Sequence, residues 1–238
     1  MQLRLRCLLL PLAALWLAGC PTRAPQPGSA PGSTPTAAHL GVPYTIAAGE
    51  SLLTIRVYKA GTLAAAGHNH LIASHDLSGT LYVPAEVLRT SFEVQLPVAG
   101  LTVDEASLRS AQHSEDFPPQ VPDSAREGTR RNMLGAALLD GAQFPQITLR
   151  AVALEEQPPP LPGTLRAHVQ VTVRDATHEI VLPVRYQRSA GTVTVDADTA
   201  LKQSDLGLKP FSALLGALQV QDEMQVSVHL VAHAAAAH

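Results

Sequence analysis

One stretch of the chain limits its fold more than any other, because apolar and polar residues alternate in it over residues 165–174. Successive side chains of a β-strand point to opposite faces of a sheet, so this pattern predicts an antiparallel strand with one buried and one wet face. The predicted buried face carries Leu165, Ala167, Val169, Val171 and Val173, and the wet face carries Arg166, His168, Gln170, Thr172 and Arg174.

The same period of two recurs along most of the chain. A turn at residues 175–177 leads into an alternating segment from Ile180 to Tyr186, which predicts a β-hairpin. Many strands with hairpin spacing favour a sandwich or a barrel, and closure removes exposed sheet edges, so we predict an antiparallel β-barrel. Further alternating sets are Leu53, Ile55 and Val57; Phe92, Val94, Leu96 and Val98; Ile147 and Leu149; Val193 and Val195; and Met224, Val226, Val228 and Leu230.

One segment follows a helical pattern instead. Ser124 and Glu127 have the spacing of a capping box, and Gly141 is a residue typical of a helix end. We therefore predict a single helix that covers part of the barrel. Its predicted apolar face carries Met133, Leu134, Ala137 and Leu138.

The N-terminal residues predict export and a lipid anchor. Arg4 and Arg6 precede an apolar run at residues 7–19 that is too short to span a bilayer as a helix. The run closes with Leu-Ala-Gly before Cys20, which resembles the lipobox of bacterial lipoproteins. We predict a signal peptide at residues 1–19 and a lipidated Cys20. A secretory signal cut at the same place, with an unmodified cysteine, is the alternative.

The remaining chain divides into a tether, one domain and a tail. Residues 20–39 are rich in Pro, Gly and Ser and hold too few large apolar side chains to offset the entropy of ordering. Residues 40–232 suffice for one apolar core, and residues 233–238 carry no pattern. In lipoproteins of bacteria with two membranes, which this N-terminus resembles, an aspartate after the lipidated cysteine is a signal for retention in the inner membrane. Pro21 stands at that position here. We therefore predict that the protein is anchored at the periplasmic face of the outer membrane.

Composition disfavours several classes of function. The two cysteines, Cys7 and Cys20, both precede the predicted domain, so it has no disulfide, thiolate metal site or cysteine nucleophile. A net charge of −3 without a basic cluster, and an aromatic content of 4%, disfavour nucleic acid as a partner. The sequence contains no Gly-x-Ser-x-Gly elbow and no glycine-rich phosphate loop. We predict that the protein is not an enzyme.

The acidic residues form no catalytic set. Asp104 and Glu105 follow a predicted strand, and Asp205 and Asp222 flank an apolar segment. We interpret these four as turn and surface residues, since aspartate is common in turns.

His68 and His70 are the sharpest candidates for chemistry. Residues two apart on a strand point the same way, and two imidazoles so placed can share a metal ion. A zinc or copper site needs a third or fourth donor, and His75, His168 and His178 serve only if the fold brings them close. Structural hydrogen bonding and a polar contact to a ligand are the roles that we favour for the pair; we predict no metal.

Four motifs carry a family resemblance. They are Gly-His-Asn-His-Leu at residues 67–71, a helix followed by a Phe-Pro turn and a strand at residues 132–149, a hairpin at residues 174–184, and Gln-Ser-Asp-Leu-Gly-Leu-Lys-Pro-Phe-Ser at residues 203–212. Together they resemble the YceI-like family of lipid- or polyisoprenoid-binding periplasmic proteins. Asp175 stands where that family usually has glycine, so we expect an altered turn there, because Asp adopts a positive φ less readily.

The resemblance implies an extended lipocalin-like barrel that binds an apolar molecule. We expect it to bind, carry or sequester a polyisoprenoid, a quinone or a related lipid in the bacterial cell envelope. No cofactor is required for this, because each buried CH₂ group of a ligand contributes about 0.8 kcal/mol by itself. The predicted lining consists of Ile55, Val57, Phe92, Val94, Ile147, Leu149, Val169 and Val171.

The predicted function implies particular partners and leaves two alternatives. The expected partners are the lipid ligand and the membrane, reached through the N-terminal anchor, and a homodimer is compatible with the sequence. A metal- or redox-linked accessory protein that uses His68 and His70 is one alternative. A ligand-free structural module with a solid core is the other.

Overall fold

The structure, a computed structural model, describes residues 40–158 and 163–235 and consists mainly of β-strands. The predicted signal peptide, Cys20 and the tether lie outside the described residues. The strands are β1 (Val42–Ile46), β2 (Leu52–Ala60), β3 (His70–Ser74), β4 (Ser78–Val83), β5 (Ser91–Pro97), β6 (Thr102–Val103), β7 (Gln146–Glu156), β8 (Thr164–Val173), β9 (Ala176–Ser189), β10 (Thr192–Lys202), β11 (Ser212–Ala213) and β12 (Leu218–Ala234). The α-helices are α1 (Ala106–Ser110) and α2 (Asp123–Leu134), and short 3-10 turns lie between several strands.

Eight strands close into a barrel, which confirms the antiparallel barrel that the sequence predicts. Antiparallel pairing runs in the order β1, β4, β5, β7, β8, β9, β10 and β12, and β12 pairs back to β1. Closure is possible because β12 is long: one edge pairs with β10, and the other pairs first with β2 and then with β1. The strands β2, β3 and β6 extend the sheet from β12. β12 continues through Ala234, so the first two residues of the predicted tail belong to this strand.

The hairpin between β8 and β9 forms with a tighter turn than the predicted one. Val173 pairs with Ala176, which leaves only Arg174 and Asp175 in the turn, and Thr177 lies in β9. The residue with a left-handed backbone is Arg174, at φ 57°, and not Asp175. The predicted turn at residues 175–177 is therefore wrong at both ends: the observed turn starts one residue earlier and ends two residues earlier. Asp175 is not where the turn requires a positive φ.

The helix α2 begins and ends earlier than predicted. Pro122 precedes its first residue and no side chain caps its N-terminus, so the capping box of Ser124 and Glu127 is wrong. The chain turns extended at Gly135, beyond which Leu139 and Gly141 donate backbone N–H groups to the carbonyls of Met133 and Leu134. These bonds satisfy carbonyls that a helix end leaves unpaired. Ala137 and Leu138 consequently lie in the turn after the helix.

The long strands bury their predicted faces. Along β8, every odd residue from Leu165 to Val173 is buried, and Arg166 and Gln170 are exposed. No helix within residues 40–158 and 163–235 is both long and apolar enough to cross a membrane.

Candidate ligand-binding cavity

The inward faces of the barrel strands enclose a cavity of about 580 Å³. Its volume lies within the range of about 300–1,000 Å³ that is typical of small-molecule sites. The interior is therefore not filled by side chains, and the solid core that a ligand-free module requires is not observed. The cavity is lined by all eight side chains predicted to face inward: Ile55, Val57, Phe92, Val94, Ile147, Leu149, Val169 and Val171. Their contact with a ligand stays a prediction.

One wall of the cavity comes from α2, which is not part of the predicted lining. Ala125, Gly128, Thr129, Asn132 and Met133 all face the cavity. Their spacing of three and four residues places them on one helical face. A search for large apolar residues misses this face because four of its five side chains are small or polar, whereas a search for periodic small residues would find it.

The cavity reaches the surface beside β2 and β3. Ala66 and His68 line it and are also exposed to solvent, and we call this opening the mouth. Asn132 of α2 and Arg188 near the end of β9 also combine lining and exposure, so solvent reaches the cavity at other points too. The prediction that His68 and His70 lie on one strand is wrong, because β3 begins at His70 and His68 precedes it. Their ring centroids lie 6.1 Å apart with an interplanar angle of 68°.

His70 is held on both ring nitrogens at this end of the cavity. Its Nδ1 lies 2.6 Å from Asp104 Oδ2, and its Nε2 lies 3.0 Å from Thr129 Oγ1 of α2. Asp104 Oδ1 accepts hydrogen bonds from Leu71 N–H, at 2.9 Å, and from Arg109 Nη1, at 2.5 Å. The side chains of Asp104 and Arg109 are buried, so the predicted surface position of Asp104 is wrong.

Arg109 and Asn69 extend this polar cluster into the neighbouring loop. Arg109 donates from Nε to Pro118 O, at 2.6 Å, and from Nη1 to Asn69 O, at 3.0 Å. Asn69 accepts from Lys59 N–H at 2.9 Å and donates to Asp116 O at 3.0 Å. The cluster thus ties β2, β3 and the segment after β6 together, which fixes the position of His70 at the cavity wall.

Burial and charge set the ionisation of the polar groups near the mouth. Burial alone raises the pKa of the Asp104 carboxyl, but hydrogen bonds from His70 and Leu71, with the positive charges of His70 and Arg109, outweigh it and hold that pKa below its usual value. Burial lowers the pKa of His68, and the nearby positive charges of His70 and Lys59 lower it further. A neutral His68 at pH 7 can both donate and accept a hydrogen bond.

The other candidate metal donors do not join His68 and His70. His75 pairs with Glu105 at 3.1 Å, and His168 lies 3.5 Å from Glu155. Within the part of the chain that the structure describes, no three side chains of His, Cys, Asp or Glu are grouped closely enough to hold a metal ion. A metal at His70 would also have to replace one of its two hydrogen bonds.

Comparison with known proteins places this architecture in a family. The family model of the YceI-like domain matches residues 44–232. The fold is similar to that of BcnA from Burkholderia cenocepacia, with a TM-score of 0.55 and 16% identity over 78% of this chain and 98% of that chain. It is also similar to a polyisoprenoid binding domain from Saccharophagus degradans, with a TM-score of 0.53 and 13% identity over 82% and 99% of the two chains.

These structural likenesses concern the fold alone, because the identities are low. No curated protein sequence matches the chain.

Proposed function

The chain belongs to the YceI-like family, and we propose that it carries or sequesters a long, mainly apolar lipid, such as a polyisoprenoid or a quinone, without changing it chemically. The observation that carries this proposal is the cavity of about 580 Å³ inside the barrel, with its apolar lining. The polyisoprenoid binding domain from Saccharophagus degradans, which shares the fold, supports a ligand of this class.

The affinity of such a site comes mainly from burial. Each CH₂ group that leaves water contributes about 0.8 kcal/mol, so a long chain needs few polar contacts to bind. The ligand's polar end would meet His68 and Thr129 at the mouth, beside His70. Because the pKa of His68 is lowered, its neutral imidazole suits an uncharged oxygen, such as a hydroxyl or a quinone carbonyl.

We further propose that the protein works as a lipoprotein in the cell envelope. The signal peptide at residues 1–19, the lipidated Cys20 and the outer-membrane location are supported by the sequence alone. Mass spectrometry of the protein from its own host tests them, because a diacylglyceryl group on an N-terminal Cys20 adds a defined mass. An unmodified Cys20 in that protein contradicts the anchor and leaves the cavity proposal unaffected.

Native mass spectrometry of the protein purified from its own host's envelope tests the carrier function. We expect one stoichiometric apolar molecule that organic extraction releases and identifies. A bare polypeptide mass after mild purification contradicts the proposal. A stoichiometric metal ion in the same spectrum favours the metal-linked alternative at His68 and His70, and a substoichiometric amount counts against it.

A pair of neighbouring substitutions separates the cavity from the barrel's outer face. Val171→Glu places a charge inside the cavity, and Gln170→Glu places the same charge on the exposed face of β8. We expect the ligand to be lost from the first variant only. Because a buried charge can also unfold the barrel, Val169→Phe provides a second test: it removes ligand volume and keeps the lining apolar. Full ligand occupancy in both inward variants contradicts the assigned lining.

A further inference from the structure

Two segments lie side by side at the cavity mouth. We call residues 61–69 and 210–217 the mouth segments. Leu63 N–H donates to Ala217 O at 2.8 Å, which joins the two segments directly. A Cβ atom on Gly61 would lie only 2.3 Å from the same Ala217 oxygen, so the two backbones touch. They form one surface feature.

This feature exposes large apolar side chains. Leu214 is 66% exposed and Leu215 is fully exposed, at 109%, while Leu63 is 45% exposed. Among the described residues, only seven large apolar side chains are exposed, and three of them are here. Such a cluster in water is unfavourable, and patches of this kind mark sites of contact with a partner or a membrane.

The backbone holds the leucines outward at a cost in free energy. Leu214, Leu215 and Gly216 are consecutive and all left-handed, with φ values of 51°, 55° and 89°. Only glycine adopts this region readily, because the Cβ atom of other residues is crowded there. Conformations of this type persist where they serve a function more often than elsewhere.

The exposed leucines are continuous with the cavity. Phe211 and Leu218, on either side of them in the chain, line the cavity, as do Ala66 and Gly67 of the facing segment. A Cβ atom on Gly67 would lie 3.1 Å from Leu218 Cδ1, so these linings meet across the mouth. An apolar molecule that enters here passes along apolar side chains from the outer surface to the barrel interior.

The charges around the mouth suit a lipid surface. The mouth segments contain no Lys, Arg, Asp or Glu, and cationic Lys59 and Lys209 flank them in the sequence. Lys59 Nζ donates to Gly67 O at 3.1 Å, which places one cation beside the mouth. Two acidic residues lie near the segments. Asp222 accepts hydrogen bonds from Ser204 N–H and Oγ, and the exposed Asp116 lies beside the first segment, where its backbone oxygen accepts from Asn69 Nδ2. Lysines beside exposed leucines are typical of surfaces that bind anionic membranes.

We propose that the mouth segments dock on the surface of a lipid bilayer, with Leu214 and Leu215 inserted among the acyl chains and the cavity open toward the lipid. The proposal rests on the proposed function, since a ligand that resides in the membrane is what direct docking would transfer. It concerns a surface of the barrel and does not depend on an anchor at Cys20.

A local fluorescent probe tests which surface meets the lipid. The full chain with Cys7→Ser and Cys20→Ser provides a background without thiols, and Leu215→Cys or Val181→Cys then carries an environment-sensitive dye. Val181 is the matched control, because it is an exposed apolar residue on the barrel wall, in β9. With vesicles of phosphatidylethanolamine and phosphatidylglycerol, we expect a blue shift and quenching by nitroxide-labelled lipid at position 215 and neither at 181. Unchanged emission at 215, or equal changes at both positions, overturns the proposal.

A second measurement gives the size of the effect. The burial of one leucine side chain in the bilayer raises the partition coefficient between water and vesicle about tenfold or more. The double variant Leu214→Asp with Leu215→Asp should therefore lower vesicle binding about 100-fold. Val152→Asp with Val181→Asp, two exposed apolar sites outside the mouth, should change it by about twofold at most. Equal losses in the two pairs contradict docking by the mouth.

Native mass spectra of the same samples distinguish the docking proposal from the carrier proposal. Bound ligand together with an unchanged probe at position 215 contradicts docking alone. No bound ligand together with an inserted probe contradicts the carrier function alone.

Discussion

At the scale of single residues, Asp104 holds together the polar cluster beside the cavity. Its carboxylate binds His70, Leu71 N–H and Arg109, and its side chain is inaccessible to solvent. Its backbone φ is 53°, in the left-handed region that Asp and Asn tolerate better than most residues. Asparagine is therefore a substitution that preserves the backbone, removes the charge and replaces one acceptor oxygen with an N–H₂ donor.

We expect Asp104→Asn to lower the free energy of unfolding by about 3 kcal/mol. The reason is that Arg109 keeps its charge in a buried position without a charged partner, which commonly costs about 3–5 kcal/mol. Urea unfolding followed by circular dichroism measures the change. Asp116→Asn, at an exposed aspartate after α1, is the control and should change stability by less than about 0.5 kcal/mol. Equal effects in the two variants contradict the role of the buried pair.

The same carboxylate should make the fold sensitive to acid. The pKa of Asp104 is held below its ordinary value of 3.8, so the ionised form stabilises the folded state above that pH, and this contribution is lost as pH falls through the folded pKa. We expect the stability of the wild-type protein to fall more steeply below about pH 4 than that of Asp104→Asn. Urea unfolding of both proteins from pH 6 to pH 2.5 measures the difference. Parallel curves would show that Asp104 titrates normally.

At the scale of secondary structure elements, alternation in the sequence predicts which face of each strand is buried. It succeeds for β8, where Val169 and Val171 face the cavity, because burial selects side chains position by position. It does not predict the tight turn at Arg174 and Asp175 or the left-handed φ of Arg174, because the register between strands decides the turn. Alternation also does not predict the end of α2, where Gly135 is extended and Leu139 and Gly141 donate backbone N–H groups to the carbonyls of Met133 and Leu134.

The cluster at Asp104 was beyond reach of the sequence for a different reason. His70 lies in β3, Asp104 directly after β6 and Arg109 in α1, and no local pattern distinguishes a buried aspartate after a strand from a turn aspartate. Only the pairing of β3 with β6 brings Asp104 next to His70. The contacts of a polar residue at the end of the barrel can therefore be predicted only when the strand topology is known, whereas alternation alone predicts which strand residues line the barrel.

The hairpin between β9 and β10 provides a test of turn chemistry. Its two turn residues, Ala190 and Gly191, have φ values of 44° and 81°. Two consecutive positive φ values favour Asn-Gly over Ala-Gly, so we expect Ala190→Asn to raise the free energy of unfolding by about 1 kcal/mol. Gly191→Ala should lower it by a similar amount, although a Cβ there meets only Ala234 at 3.9 Å. Chemical denaturation measures both variants, and a shift of the same sign in both contradicts the turn geometry.

At the scale of the whole molecule, the barrel combines a closed hydrogen-bonded wall with an unfilled interior. Closure pairs the edges of the eight barrel strands with one another, so their backbone groups are satisfied without a packed centre. Side chains that line the cavity lack packing partners on that side, and a ligand in the cavity supplies them. Ligand binding and barrel stability should therefore be linked.

This linkage predicts that ligand removal lowers the melting temperature. A ligand present at 100 times its Kd stabilises the folded state by about 2.7 kcal/mol, and the protein stripped by organic extraction and refolded loses this contribution. Scanning calorimetry of filled and emptied protein measures the shift. Leu149→Trp, which fills part of the cavity, should keep or raise the melting temperature of the emptied protein and reduce the shift on refilling. A ligand that raises the melting temperature of wild type and variant equally would instead bind outside the barrel, since only an interior site competes with the tryptophan for the same volume.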